Sequence, residues 1–342
     1  MNIYYIPIFY MYYILFALLI VFIVSIALYQ KYNTIENFDP DHIFDKNVKI
    51  ENFKGNTNLP IQNYIVKSSY NSSIDHQNYV SKDAIKYVLG RGCRFLDFEI
   101  LYDPEKPRAA LVGKVTGVNN DGIETKNTML LDDICDTIVS YGFSKPTPNP
   151  NDPLFIHLRI KPLIKNNQPN TDIYNNVSST ITHKFKNYLY KYNIESESSN
   201  FNDIKNKIVV LVENNPDLEL SDYLKFNFST TKRNSDKENI NINTYDEIVE
   251  KKHFDIEFSG TGELVKPNNI RIGVPEFSVD SNSVNEPSSY NLITNYATQI
   301  NCFRFYNKSN NLKEYDELFN HFKSAFIILE NGISYINRIT KQ

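Results

Sequence analysis

The chain has 342 residues, of which 41% are hydrophobic and 22% are charged. It can therefore bury a large core, and wholesale disorder is excluded. Its formal net charge of −4 argues against a general nucleic-acid-binding protein, which would present a basic surface. The three cysteines, Cys93, Cys135 and Cys302, are too few and too scattered for a disulfide framework or a zinc site.

The N-terminal segment carries no Lys, Arg, Asp or Glu before Lys31. Within it, residues 8–29 are almost wholly apolar, and as a helix of about 33 Å they would cross the hydrocarbon core of a bilayer. The alternative, a cleaved signal peptide, is disfavoured because the basic n-region is missing and the apolar run is longer than usual. We therefore expect residues 1–30 to form a retained single-pass anchor, with a lipid membrane as the partner of residues 8–29.

The orientation of this anchor depends on few charges. Lys31 follows the apolar span and no basic residue precedes it, which favours a cytoplasmic C-terminal part. The lack of disulfide-style cysteine pairing agrees with this orientation. Asn-x-Ser sequons would suit a lumenal domain instead, but a chain so rich in asparagine forms them by chance. They begin at Asn71, Asn176, Asn227 and Asn307.

Beyond the anchor, strand and helix patterns alternate. Residues 31–58 are polar and asparagine-rich, which predicts a linker. The alternation that follows is typical of a parallel sheet, and roughly 270 residues without an obvious break favour one closed (β/α)8 barrel over two smaller domains. We expect this barrel over residues 59–332, with a tail at 333–342. The polar stretch 229–245 predicts a surface insertion at 215–250. Strand patterns lie at 61–67, 94–102, 154–160 and 207–212, and helix patterns at 82–89, 130–141 and 172–192.

Two of these strands carry ionisable residues on one face. Period-two alternation places Asp97 and Glu99 on the same side of one strand, and His157 and Arg159 on the same side of another. The intervening residues are apolar, so the ionisable groups are expected to point into the barrel near the strand ends, where this architecture has its active sites. Burying charges there is costly unless they are paired or hold a metal. The alternative to a functional site is an internal ion pair that fixes the packing.

In the same order along the chain, these segments resemble the X region of phosphoinositide-specific phospholipase C. Two later segments are similar to a diverged Y region, so the resemblance covers residues 59–332, with an X-like part at 59–214 and a Y-like part at 251–332. It implies a PLC-like phosphodiesterase TIM barrel, here without further modules and behind a membrane anchor. Relatives of this barrel-only kind are familiar from large DNA viruses, which would place the chain in a host or virion membrane. The X-like segments are Val66-Lys-Ser-Ser-Tyr-Asn71, Gly92-Cys-Arg-Phe-Leu-Asp97-Phe-Glu99, Pro153-Leu-Phe-Ile-His157-Leu-Arg159 and Lys207-Ile-Val-Val, and the Y-like segments are 279–283 and 296–306.

The resemblance implies that the calcium site of the family is altered in this chain. Asn71, Asp97 and Glu99 match three of its calcium ligands, while the position of a fourth, a glutamate, is Arg159. Like charges about 4 Å apart repel by roughly 4 kcal/mol at an effective dielectric constant near 20, so we expect calcium binding to be weak or absent. Arg159 would instead form a fork onto Asp97 or Glu99.

The acid–base groups of the family are also replaced. Its two catalytic histidines correspond to Tyr70 and Val112, and two lysines that bind ring phosphates correspond to Leu211 and Glu213. A general acid and a general base contribute about 10²- to 10⁴-fold each, so their loss is hard to offset. Tyrosine ordinarily titrates near pH 10 and is a poor proton shuttle at neutral pH.

Two histidines remain as substitutes for the missing acid. His157 is either a relocated acid or an interior histidine that is hydrogen-bonded near Arg159, and His76 is either an acid or an ordinary loop residue.

We therefore expect a membrane-anchored, catalytically degenerate phospholipase-like barrel that acts as a structural or interaction module. The alternative is an active, calcium-independent phosphoric diester hydrolase that uses Arg159, with His157 or Tyr70 transferring protons. A third hypothesis is a non-catalytic protein that binds a phosphoinositide headgroup, although the missing lysines argue against multiply phosphorylated ligands.

Overall fold

The computed structural model describes residues 13, 16–25, 48–192, 194, 199–233, 239–250, 269–276, 286–307 and 309–341. The chain forms two compact units, Met1–Pro40 and Asp41–Gln342. In the first unit, residues 16–25 are helical with exposed side chains, and most of the remaining expected anchor lies outside the described residues. Among the described residues, no helix combines the length and the apolar character needed to span a membrane.

The second unit is built around a closed barrel of eight parallel strands. Each strand pairs in parallel with the next, and the eighth pairs with the first, which closes the barrel. This confirms the barrel that the sequence predicts. Its strands are β1 (Tyr64–Ser69), β2 (Phe95–Tyr102), β3 (Leu154–Lys161), β4 (Ile208–Glu213), β5 (Ser229–Arg233), β6 (Ile240–Thr244), β7 (Ile270–Val274) and β8 (Ile300–Phe303).

Helices connect and cover these strands. The first begins at an N-cap, Ser81, whose side chain accepts a hydrogen bond from the Asp83 backbone N–H at 3.1 Å, and it buries Ile85 and Leu89 against the barrel. The α-helices described in the second unit are α1 (Lys82–Gly90), α2 (Leu131–Gly142), α3 (Asp172–Lys184), α4 (Phe201–Ile204), α5 (Tyr245–Glu250), α6 (Ser289–Tyr296), α7 (Asn310–Phe322) and α8 (Leu329–Thr340), with 3-10 turns at Ile61–Asn63 and Leu220–Asp222.

Short strands extend the barrel at its edges. Ala110–Val112 pairs antiparallel with β2 and in turn with Met129–Leu130, while Phe326–Ile328 pairs antiparallel with β1. Two small hairpins join Val115–Thr116 to Gly122–Ile123 and Ile164–Lys165 to Gln168–Pro169.

The structure differs from the expected surface insertion at residues 215–250. Strands β5 and β6 both lie in this range and complete the barrel. Their sequence is polar because Thr231 faces the polar interior of the barrel, where it contacts His157. Only six residues separate the two strands, whereas a usual parallel crossover has a dozen or more. The sequence therefore shows no helix pattern between them, and the alternation of strands and helices that predicts a barrel is missing here.

The expected linker and tail also differ where they are described. Within the linker range 31–58, Ile50 is buried and Phe53 packs edge-on against Tyr64, the first residue of β1. Within the tail range 333–342, residues up to Thr340 belong to helix α8, and Ile333 and Ile336 lie on its buried face. In both places a few apolar residues among many polar ones are enough to hold the segment on the barrel.

A buried ion cluster fixes helix α7 to the outside of the barrel. The Lys67 ammonium lies 2.6 Å from the Asp316 carboxylate, which also pairs with Arg91. Burial alone would raise the pKa of Asp316, but the charges of Lys67 and Arg91 hold the pKa below its usual value. Since all three side chains are largely removed from water, this pairing requires α7 to keep its position.

Candidate functional site

Strands β2 and β3 place four ionisable side chains side by side. Their register sets Asp97 beside His157 and Glu99 beside Arg159. The imidazole Nε2 of His157 lies 3.0 Å from the Thr231 hydroxyl on β5. Because β4 separates β3 from β5, this contact crosses the barrel interior. The four ionisable groups therefore point inward, and all four are buried.

The Arg159 guanidinium is the centre of this cluster. Its Nε and Nη2 donate to the two carboxylate oxygens of Asp97 at 3.0 and 2.9 Å, which forms a bidentate fork. Its Nη1 donates to Glu99, and its Nη2 also donates to the Asn71 side-chain oxygen at 2.5 Å. One cation on β3, at 0% exposure, thus joins two carboxylates of β2 and the amide that follows β1.

Electrostatics keep the central pair ionised. Burial alone would raise the pKa of Asp97, but the charge of Arg159 and the hydrogen bond from His157 hold that pKa well below its usual range. Burial alone would lower the pKa of Arg159, but Asp97, Tyr70 and Glu99 raise that pKa well above its usual value. Neither group therefore changes its charge near neutral pH.

Both ring nitrogens of His157 are engaged. Nδ1 lies 2.8 Å from a carboxylate oxygen of Asp97, and Nε2 lies 3.0 Å from Thr231 Oγ1. Because the Asp97 carboxylate can only accept, Nδ1 is assigned as the donor, and Nε2 of a neutral ring then accepts from the Thr231 hydroxyl. The imidazole is oriented, but it has no lone pair or proton left for a substrate in this arrangement.

Neither of the two positions that match the family histidines replaces their chemistry. The Tyr70 ring covers the guanidinium, with its centroid 4.6 Å from the Arg159 Cζ, a cation–π contact. Burial raises the pKa of Tyr70 well above its usual value. Val112 is buried and apolar. At neutral pH, neither residue can take up a proton from a reacting hydroxyl.

The oxygens that would ligate calcium already have donors. The Asn71 side-chain oxygen, both Asp97 oxygens and one Glu99 oxygen accept from Arg159, and the other Glu99 oxygen accepts from the Val115 backbone N–H at 2.6 Å. A calcium ion needs six to eight oxygens and would have to displace the guanidinium. These residues do not fit calcium as they stand, and across the described part of the chain no three His, Cys, Asp or Glu residues are grouped to hold a metal.

A second charged group lies at the ends of β3, β4 and β5. Glu213 pairs with Lys161 at 3.0 Å and with Arg233 at 2.6 Å. Burial alone would raise the pKa of Glu213, but these two cations lower that pKa to about 2. The sequence analysis missed Lys161 and Arg233, although each lies two residues beyond an inward-facing residue, Arg159 or Thr231. Of the remaining sequence candidates, Leu211 is buried within β4 and His76 is exposed in the loop after β1.

A buried carboxyl that the sequence analysis did not identify lies near the end of β8. Glu286 accepts a hydrogen bond from the Arg304 backbone N–H at 2.7 Å, and the Arg304 Cζ lies 6.0 Å from the Tyr70 ring centroid. Burial raises the pKa of Glu286 to about 7, despite the opposing hydrogen bond and charge of Arg304. This carboxyl therefore changes its charge near neutral pH.

Comparison with known proteins places this geometry in a class. Residues 57–214, just under half of the chain, match the family model described as phosphatidylinositol-specific phospholipase C, X domain. The chain is similar to the crystal structure of L. pealei PLC21, with 12% identity, a TM-score of 0.58, and coverage of 83% of this chain and 39% of that one. It is also similar to the crystal structure of S. officinalis PLC21, with 13% identity, a TM-score of 0.54, and coverage of 80% of this chain and 37% of that one. The chain thus spans well under half of these two proteins, and no curated protein matches its sequence.

The fold is therefore that of the TIM barrels of the phospholipase C type. Within it, the chain has the fold of the phosphatidylinositol-specific phospholipases C, and residues 57–214, which contain β1 to β4, correspond to their X domain.

Removing the central cation should destabilise the protein strongly. Arg159→Met leaves Asp97 and Glu99 buried without their partner, and we expect the free energy of unfolding to fall by about 3–5 kcal/mol, measured by urea denaturation. Arg233→Met is the matched control, because Arg233 is 29% exposed and Glu213 keeps Lys161 as its partner, so we expect a loss of about 1 kcal/mol or less.

A second variant separates charge from packing in this test. Adding Asp97→Asn to Arg159→Met removes one of the two uncompensated charges and should recover part of the lost stability. If Arg159→Met costs no more than the control, or if the double variant loses the sum of the single losses, the cation does not hold the cluster together.

Glu286 should make stability depend on pH. In the unfolded chain it ionises near 4.5, whereas in the folded chain its pKa is about 7, so its contribution to stability is complete below pH 4.5 and is lost as the pH rises through 7. We expect the free energy of unfolding of the wild type to fall by up to about 3 kcal/mol over this range relative to Glu286→Gln, which cannot ionise. Urea denaturation across the range measures this, with the exposed Glu317→Gln as control. Parallel profiles for wild type and Glu286→Gln would contradict the assignment.

Proposed function

We propose that this chain is a membrane-anchored, phospholipase C-like barrel that has lost phosphodiesterase activity and acts as a structural or interaction module. The observation that carries the proposal is the Arg159 guanidinium, which is fully buried beneath Tyr70 with its donors directed at Asp97, Glu99 and Asn71. A site that accelerates hydrolysis must present charge and proton carriers to a substrate. Here the positive charge of Arg159 is already paired with carboxylates of the protein itself.

The proposed loss of activity follows from the two proton transfers that cleavage of phosphatidylinositol requires. Cleavage of phosphatidylinositol in the family begins when the inositol 2-hydroxyl attacks the phosphorus, which requires a base, and ends when an acid protonates the leaving alkoxide. With Tyr70 held protonated and Val112 inert, both contributions are absent from their family positions. Each is worth about 10²- to 10⁴-fold, so the combined loss supports an inactive or very weak enzyme.

The alternative is an active, calcium-independent hydrolase. In its favour, the Asp97–His157 hydrogen bond at 2.8 Å orients the imidazole as in a general-base pair. Against it, the second ring nitrogen contacts Thr231 rather than an open space, and Arg159 would have to exchange its carboxylate partners for a substrate phosphate. We therefore retain degeneracy as the principal proposal.

The cellular setting is part of the proposal. Residues 8–29 would anchor the chain in a host or virion membrane, with residues 31–342 on the cytoplasmic side. A phosphoinositide headgroup at the barrel mouth is the ligand that the resemblance suggests. Because Lys161 and Arg233 are already paired with Glu213, a headgroup with several phosphates is disfavoured there. The acidic net charge argues against a nucleic-acid partner.

A turnover assay tests the loss of activity. The purified full chain, mixed with phosphatidylinositol vesicles and either calcium or a chelator, should release no inositol phosphate above a protein-free blank, while an active phospholipase C confirms that the assay works. Turnover that disappears in His157→Gln, but persists in His183→Gln on the outer helix α3, would establish the alternative and end the proposal.

We expect calcium not to bind the wild type, but to bind a variant in which the fourth calcium ligand of the family, a glutamate, is restored. Arg159→Glu replaces the guanidinium with a carboxylate beside Asn71, Asp97 and Glu99. We expect this variant to be less stable in chelator and to gain melting temperature with millimolar calcium, because a ligand that binds only the folded state stabilises it. Differential scanning fluorimetry with magnesium as the control cation measures this. Equal stabilisation of the wild type by calcium would show that Arg159 does not exclude the ion.

A further inference from the structure

A cavity of about 520 Å³ lies outside the barrel, beside the loop that follows β2. It opens between this loop, the short strands that extend β2, and helices α2 and α3. The volume is within the range of about 300–1,000 Å³ that ligand sites occupy. The residues used below are Lys106, Arg108, Ala109, Ala110, Leu130 and Asp132, all of which line it.

The rim of this cavity carries two cations that form no ion pair with any described residue. Lys106 and Arg108 are exposed, and neither side chain forms an ion pair with any residue that the structure describes. The acidic residue on the wall, Asp132, contacts Lys184 at 2.7 Å and shares it with Asp136, which lies 2.8 Å from the same ammonium. An anion at the rim would therefore meet two cations that need not break an ion pair with a described residue in order to bind it.

The floor of the cavity is apolar. Leu130 is 43% exposed, and Ala109 and Ala110 leave the space above them open because their side chains are small. The loop is held in place by Asn176 of α3, whose side-chain amide donates to the Pro107 carbonyl at 3.0 Å. A preformed site with an apolar floor and a cationic rim matches an amphiphile with an anionic head.

We propose that this cavity binds the phosphate headgroup of an anionic phospholipid. Lys106 and Arg108 hold the phosphate, and the glycerol and first acyl carbons lie on Leu130 and Ala109. Free phosphate shares the head chemistry but gains nothing from the floor, so the lipid is the favoured source. The site is separate from Arg159 and the barrel interior, and it does not depend on whether the barrel hydrolyses phosphodiesters.

Isothermal titration calorimetry on the full chain in uncharged detergent tests this proposal. The probes are dihexanoyl phosphatidic acid, dihexanoyl phosphatidylcholine with the same acyl chains but no net charge, and inorganic phosphate. We expect phosphatidic acid to bind about tenfold or more tightly than either of the others, and its binding to weaken with added salt.

Variants locate the binding. Lys106→Glu with Arg108→Glu should weaken phosphatidic acid binding about tenfold or more, and Ala109→Phe should do so by filling the cavity without changing charge. The matched control is Lys145→Glu with Lys341→Glu, which makes the same charge change at exposed positions after the C-terminal ends of α2 and α8 and should leave binding within about twofold. Melting temperatures close to the wild-type value check that each variant is folded, since the charged positions are exposed.

Three results would overturn the proposal. Inorganic phosphate that binds as tightly as phosphatidic acid would indicate an ion site. Equal weakening by the control pair would indicate a general effect of charge. Loss of binding in Lys161→Gln with Arg233→Gln, and not in the Lys106 and Arg108 variants, would place the ligand at the barrel mouth.

Discussion

The polar interior of this barrel depends on one guanidinium. Asp97 and Glu99 lie inside a wall of apolar strands, where an unpaired carboxylate would cost several kcal/mol. Arg159 satisfies both and also ties down Asn71, whose backbone takes a φ of 43°, a left-handed conformation that asparagine tolerates better than most residues. The Asn71 backbone N–H donates back to Asp97 at 3.1 Å, so the loop after β1 is fixed to β2 and β3 through the same charges.

The constraint that stabilises this interior also limits its chemistry. A bound metal can exchange ligands with a substrate, whereas a side-chain cation is tethered to its own strand and keeps the partners that its fork geometry selects. Tyr70 then covers the guanidinium, and the burial that lowers the local dielectric and strengthens the ion pair also keeps water away from it. Structural rigidity and the proposed loss of activity are therefore two consequences of one residue, Arg159.

The features that could be predicted from the sequence are those that depend on periodicity within a single segment. The strands β2 and β3 follow from their alternation of apolar and ionisable residues, and the same alternation placed Asp97, Glu99, His157 and Arg159 on inward faces. Strands β5 and β6 were not predicted from the sequence, because strand residues that face a polar interior are themselves polar. Thr231 and its neighbours therefore resemble loop sequence. The pairing of Glu213 depends on strands that meet only when the barrel closes, which periodicity within one segment cannot reveal.

The two halves of the barrel differ in how far their sequences follow the family, yet they share one interior. The match to the X domain ends at residue 214, after β4, and the first half contains Arg159 and all three of its acceptors. The second half contributes single polar partners to residues of the first half: Thr231 contacts His157, and Arg233 pairs with Glu213. A closed barrel needs only that the later strands keep their backbone pairing and a few such contacts. The second half can therefore diverge almost completely in sequence while the cluster around Arg159 stays closed.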